Sequence, residues 1–405
     1  MTPATITTKL KFLLLIPYAC SVLLLTGCWD RTEVNDLAII MAAGLDKKTE
    51  KTVELSVQVF VPKSSKTGGE ELASASSAGG TGQTLVRAAE GYTLADAISK
   101  LQEKLPRIIF WGHAEIFIFG EQIAKEGLSE HIDFLARAPG PRERANLFIS
   151  KGTAKNILRL LPPLERSSAE VLRELAKAQT GLSVTIKDYA QMMIGGSDAS
   201  VLPWIDIVPP EPEAPPLQSI GFINGSAILK QNRMVGWIDD RLTRGLLWLR
   251  NEVKTATVTI EPKEAEGRVS LSLLRARTEL VPRIENGVWS MTVKIYTEDD
   301  IIQNTTILDL SDPKLSHSME RQLAEAIEAR IRAVLVKPQK QWNADIFDFA
   351  EAFRRAYPKE WKRAKTQWDD IFPHVTVHIE SKVKILRTGL SSSGVINLER
   401  EKMNK

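Results

Sequence analysis

At 405 residues the chain exceeds one average domain and is expected to divide into two or three. Its 43% hydrophobic and 25% charged residues exclude a largely disordered protein. Basic residues number 53 against 50 acidic, and without Lys9 and Lys11 of the leader the balance is 51 to 50, so the charge argues against nucleic acid as a partner.

Lys9 and Lys11 precede an apolar run over 12–25, interrupted by Pro17 and Tyr18. A bilayer span needs about 20 apolar residues, whereas a signal-peptide core needs roughly half that or a little more. Leu25, Thr26, Gly27 and Cys28 close the run and resemble the bacterial lipobox. There a cysteine thiol is alkylated with diacylglycerol, and a peptidase then cuts in front of it. Residues 1–27 are therefore expected to be a signal peptide, cut between Gly27 and Cys28, with Cys28 lipidated. Two acyl chains hold a protein on a bilayer stably where one does not, and the indole of Trp29 suits the headgroup layer. Cys20 leaves with the leader, so a single cysteine remains, which excludes an intramolecular disulfide and a Cys-rich zinc site.

Beyond the tether, small and aliphatic text over 37–44 leads to a strand over 52–61, in which Val53, Leu55, Val57, Val59 and Val61 share one buried face. Ser/Gly-rich text at 63–82 cannot bury enough surface to order itself and is expected to be a mobile loop. It lacks the spacing of a phosphate-binding loop. Thr93 offers an N-cap to a helix carrying Leu94, Ala97, Ile98, Leu101 and Leu105, which ends at Pro106. A strand over 114–119, a helix over 122–137 and a strand over 145–150 follow, the alternation of an α/β layer. Helical text over 152–161, 168–178 and 185–194 forms an insert. PPEPEAPP at 209–216 marks a semi-rigid boundary, so 28–205 is expected as an N-terminal domain and 206–217 as a linker.

A hairpin around Gln231 and Asn232, a helix over 240–250 and three alternating runs over 254–261, 268–280 and 288–298 open a second domain, 218–392. Asp312 and Pro313 start a long helix with Leu315, Met319, Leu323, Ile327 and Ile331 four apart. Helical text over 346–368 and a closing strand over 375–387 complete it, before a polar tail at 393–405. The expected fold class is thus α+β, or mixed α/β: an N-terminal α/β domain with a helical insert, then an antiparallel sheet covered by long helices.

No residue pattern supports catalysis, a cofactor or a metal. His113, His131, His317, His374 and His378 stand in no HExxH motif and beside no cysteine. His113, entering a strand in FWGHAEIF, is expected to be partly buried and hydrogen-bonded. His374 and His378 are expected on one solvated strand face, and Asp299 with Asp300 in a solvated acidic turn. Trp237, Trp289 and Trp342 lie in apolar text and are expected in the core.

Several stretches resemble one family. CWDRTEVND from Cys28, GLDK from Gly44, RIIFWGHAEIFIFGEQIAKEGL from Arg107, GSAILKQNRMVGWIDDRLTRGLLWLRNEV from Gly225, NADIFDF from Asn343 and WDDIFPHVTVHIESKVKILRTG from Trp368 are similar to the GerAC, or Ger(x)C, lipoprotein family, the C subunits of spore-germination nutrient receptors. The resemblance implies a three-domain mixed α/β fold and a non-enzymatic subunit. It also implies anchoring to the outer leaflet of the spore inner membrane, with integral membrane A-type and B-type subunits as partners. A different class, a lipoprotein that captures a solute for a transporter, is the alternative, and it would require paired lobes around a cleft.

Overall fold

A computed structural model describes residues 33–61, 84–138 and 140–387. Gly27, Cys28 and Trp29, the Ser/Gly stretch at 63–82 and the tail at 393–405 lie outside the described residues.

The first layer is a nine-stranded mixed sheet. Strand β1 (Leu37–Lys47) pairs antiparallel with β2 (Val53–Phe60), and β2 pairs antiparallel with β3 (Thr84–Gly91). Helix α1 (Leu94–Glu103) follows, its first turn capped by the Thr93 hydroxyl, which accepts from Asp96 N at 3.2 Å. Short strand β4 (Ile108–Phe110) then runs parallel to the start of β1, Leu37 facing Ile108. Strands β5 (Ile116–Gly120), β6 (Asn146–Ser150) and β7 (Ala199–Ile207) extend the sheet in parallel from β1. Every residue of β5 is buried, as expected of a parallel strand covered on both faces.

The crossovers supply the covering. Between β5 and β6 lie α2 (Glu121–Glu126) and α3 (Ser129–Arg137), and between β6 and β7 lie α4 (Ala154–Leu158), α5 (Ser168–Ala178) and α6 (Ile186–Ile194). The single helix expected over 122–137 is thus two, broken at Gly127, whose φ of 135° only glycine adopts without strain. The expected insert is not a body apart: α4 and α5 pack on one face of the sheet through Ile157, Leu158 and Leu172, and α6 packs on the other through Ile186 and Tyr189.

The covering by α4 and α5 also corrects the picture of β2 as one-sided. Its polar face is buried too, with Gln58 donating to Leu158 O at 2.9 Å and accepting from Ala169 N at 3.1 Å. Glu54 beside it pairs with Lys155 at 3.0 Å.

The proline-rich segment at 209–216 joins neighbours within this same sheet. Strand β8 (Gly221–Lys230) returns antiparallel to β7, and β9 (Arg233–Asp239) closes the edge through a turn in which Gln231 and Asn232 both have positive φ. Helix α7 (Asp240–Leu249) leads to the second sheet, β10 (Thr257–Ile260), β11 (Val269–Glu285), β12 (Val288–Asn304) and β13 (Thr376–Arg387). The first three strands are antiparallel as expected, but β13 is parallel to β12. The reason is the long crossover, since α8 (Pro313–Val336), α9 (Phe349–Ala356), α10 (Pro358–Ala364) and α11 (Trp368–Ile371) all lie between them. The acidic pair is likewise not in a turn: Asp299 and Asp300 lie within β12, with Asp299 buried.

One continuous core links the two sheets, running from Ile40 and Leu101 through Leu246 and Trp248 to Met319, Ile327 and Phe353. At its centre α7 meets α8 at Gly245, where an added Cβ would stand 2.6 Å from Arg330 O. The chain is therefore mixed α and β, with helices between and around two joined sheets.

Candidate functional site

Two buried acids in the family-like motifs hold backbone together. Asp46, in GLDK at the end of β1, accepts from Ala154 N at 2.7 Å and Lys155 N at 3.0 Å, capping α4 across the fold. Burial pushes its carboxyl up from the usual range. Asp345, in NADIFDF, accepts from Phe347 N at 3.2 Å, Phe349 N at 3.2 Å, Ala350 N at 2.7 Å and Trp368 Nε1 at 3.1 Å. It caps α9 and ties it to WDDIF, and complete burial pushes its pKa up to about 6. Gln339 completes the joint by donating to Phe372 O at 3.0 Å and Val375 O at 2.7 Å.

The tryptophans divide. Trp289 packs on Phe353 and Trp368 with ring centroids 4.7 and 5.9 Å apart, and Trp342 is half-buried against the core. Trp237 departs from expectation, being 44% exposed on edge strand β9, where it stacks on buried Trp204 at 5.9 Å. An edge strand leaves one flank of such a ring with nothing to cover it.

The five histidines do not converge. His131 is half-buried in α3, and His113, His317, His374 and His378 are exposed. His113, expected to be partly buried and hydrogen-bonded, instead sits in the turn before β5, in solvent, its ring 6.0 Å from that of Phe110. The turn projects past the end of β4, so nothing is left to bury it. Among the described residues no group of three or more His, Cys, Asp or Glu is placed to hold a metal ion.

Two concavities stand out. A charged groove of about 650 Å³ lies between α6 and α9. Its charges are spent on one another: Arg250 bonds Glu252 at 2.9 Å and Ile346 O at 3.0 Å, and Glu351 accepts from Arg354 and Arg355, each at 2.6 Å. A charged solute would compete with these pairs.

The other is an apolar cavity of about 500 Å³, within the ~300–1,000 Å³ range of ligand pockets. Its floor is β1 and β5, through Ala43, Leu45, Phe117 and Phe119, and its walls are α1, with Leu94 and Ile98, and α3, with Phe134 and Leu135. The roof is the motif stretch Ile109, Phe110, Trp111 and Gly112, with Trp111 stacked on Phe117 at 6.5 Å. Helical spacing in α1 and α3 was enough to expect apolar faces there. No pattern in the sequence signals that the two faces stop short of each other over the sheet.

Comparison with known proteins follows this architecture. Residues 30–207 match the family model of the spore germination protein N-terminal domain, and residues 224–389 match the spore germination B3/GerAC-like C-terminal model. Spore germination protein KC of Bacillus subtilis (strain 168) is 27% identical over 405 residues, covering 95% of this chain and 98% of that protein. Spore germination protein B3 of the same organism is 22% identical, over 91% of this chain and 95% of its own length. The crystal structure of the GerBC protein superposes with a TM-score of 0.56, over 85% of this chain and 97% of that one, at 16% identity.

Proposed function

The chain belongs to the spore germination GerAC family, and on that premise we propose that it is the lipid-anchored C subunit of a spore nutrient receptor. In this reading diacylglyceryl-modified Cys28 holds it on the outer leaflet of the spore inner membrane. It works without catalysis, through contacts with an A-type and a B-type integral membrane subunit. The observation that carries the reading is the pair of family matches in series, over 30–207 and 224–389, in a chain whose two sheets share one core.

Three further features support it. The apolar run over 12–25 ends at the small residue Gly27 and the thiol of Cys28. Among the described residues no helix is long and apolar enough to cross a membrane, and attachment in this reading comes from Cys28 instead. The acids in the motifs, Asp46 and Asp345, are occupied in holding helix ends, which suits a scaffold.

The test is Cys28→Ala in the sporulating host. The intact mass should lack the diacylglyceryl group and keep the uncut leader, retention in the membrane fraction should fall, and the nutrient response should weaken. Normal membrane retention and normal germination in that variant would overturn the reading.

A further inference from the structure

We propose that the apolar cavity roofed by Ile109, Phe110, Trp111 and Gly112 is an acyl-chain pocket, filled by a hydrocarbon tail of the bilayer on which the chain is anchored. This rests on the lipid anchor at Cys28 for the source of the tail, though not for the chemistry of the pocket.

The chemistry comes from the lining. Of the side chains around the cavity, only the indole of Trp111 carries a polar atom, and none is charged. A sugar or an amino acid entering it would lose its water with nothing to replace the hydrogen bonds, whereas a methylene chain would lose nothing. The cavity is partly open to the surface, so its hydrocarbon lining faces water that a fitting apolar guest would displace. A guest therefore completes the packing that α1 and α3 leave open.

The location comes from the register of the strands. The roof is continuous with β4, and β4 lies beside the first residues of β1, Ala38 facing Ile109 and Ile39 facing Phe110. The same end of the sheet exposes three apolar side chains, Val34 at 69%, Ile108 at 58% and Phe110 at 38%. Cys28 precedes Leu37 by nine residues and Leu37 faces Ile108, so even fully extended chain keeps the anchor within about 37 Å of β4. With a lipid on Cys28, the exposed apolar residues and the roof of the cavity are thus within reach of the bilayer surface.

The full-length chain would be placed in vesicles of phosphatidylglycerol and phosphatidylethanolamine containing a phospholipid with a diazirine in its acyl chain. Irradiation and peptide mass spectrometry should then find adducts on peptides covering 107–120 and 133–141. Ile98→Trp and Ala138→Trp each fill the cavity from a different wall, and both should lose those adducts while retaining adducts near the anchor. A thermal unfolding transition like the parent's identifies which filled variant is folded. Adducts that are absent from these peptides in the parent, or that persist in a folded filled variant, would overturn the proposal. A separate arm treats the Cys28→Ala chain with a diazirine fatty acid in solution. Labelling of the cavity there supports the pocket even if the intact mass shows no lipid on Cys28 in the parent. Lipid on Cys28 with an unlabelled cavity overturns the pocket and leaves the anchor standing.

Discussion

Replacing Asp345 by alanine should be among the most damaging single changes to the second half of the chain. The carboxylate accepts from three backbone N–H groups, of Phe347, Phe349 and Ala350, and from the indole of Trp368. All four donors lie where water does not reach, and Asp345, Phe347, Phe349, Ala350 and Trp368 are each buried. An unpaired buried donor costs about 1–3 kcal/mol, and loss of an N-cap about 1 kcal/mol. Allowing for partial relaxation around the longer contacts at 3.2 Å, Asp345→Ala should lower stability by about 4 kcal/mol, a large fraction of the ~5–15 kcal/mol available to a folded domain. Asp345→Asn keeps one acceptor oxygen and should lose roughly half as much. Urea unfolding followed by tryptophan fluorescence reports directly, because Trp289, Trp361 and Trp368 surround the joint. A loss below about 1 kcal/mol in the alanine variant would refute the assignment of Asp345 as the keystone of this joint.

Other consequences can be checked independently. Asp46→Ala removes the acceptor for Ala154 N and Lys155 N, so those two amides should lose hydrogen-exchange protection before the strands do. Gly245→Val places a side chain against Arg330 O and should destabilise by about 1–3 kcal/mol in thermal unfolding, by forcing α7 and α8 apart. Burial holds Asp299 at about 6, above its ordinary 3.8, so the folded state grips its proton more tightly than the unfolded one. Its contribution is therefore full below about pH 3.8 and is lost as pH rises through about 6. Relative to Asp299→Asn, the parent should lose about 3 kcal/mol between those limits by denaturant titration, at 1.36 kcal/mol per pH unit. Calorimetric titration of the parent with amino acids and sugars should give no binding heat, because the charged groove is internally paired and the cavity is hydrocarbon.

Where local chemistry decides structure, the sequence was readable. Alternation located β2, β12 and β13, and Thr93 and Asp312 accept the amide hydrogen bonds expected of caps, Asp312 from Lys314 N at 2.8 Å. Strand β3 escaped notice because Arg87, Ala88, Ala89 and Glu90 give no period-two pattern, and β4 because its few residues carry too little of one. The parallel direction of β13 is set by the path of α8 to α11 rather than by its own residues, which would suit either orientation. The motifs were recognisable as text, but their work was not. NADIFDF sets two aspartates, Asp345 and Asp348, among apolar residues, and says neither that Asp345 is the buried one nor that the indole of Trp368 meets it. The exposure of Trp237 and His113 has the same origin, since their neighbours in sequence are apolar while their neighbours in space are few.

The central claim is that this chain is one subunit of a membrane receptor, and the most direct measurement is its purification from detergent-solubilised spore inner membranes through a C-terminal affinity tag. Two polytopic membrane proteins should co-purify in fixed proportion and cross-link to the chain. Recovery of the chain alone, from spores that still germinate normally with the tag in place, would contradict the account.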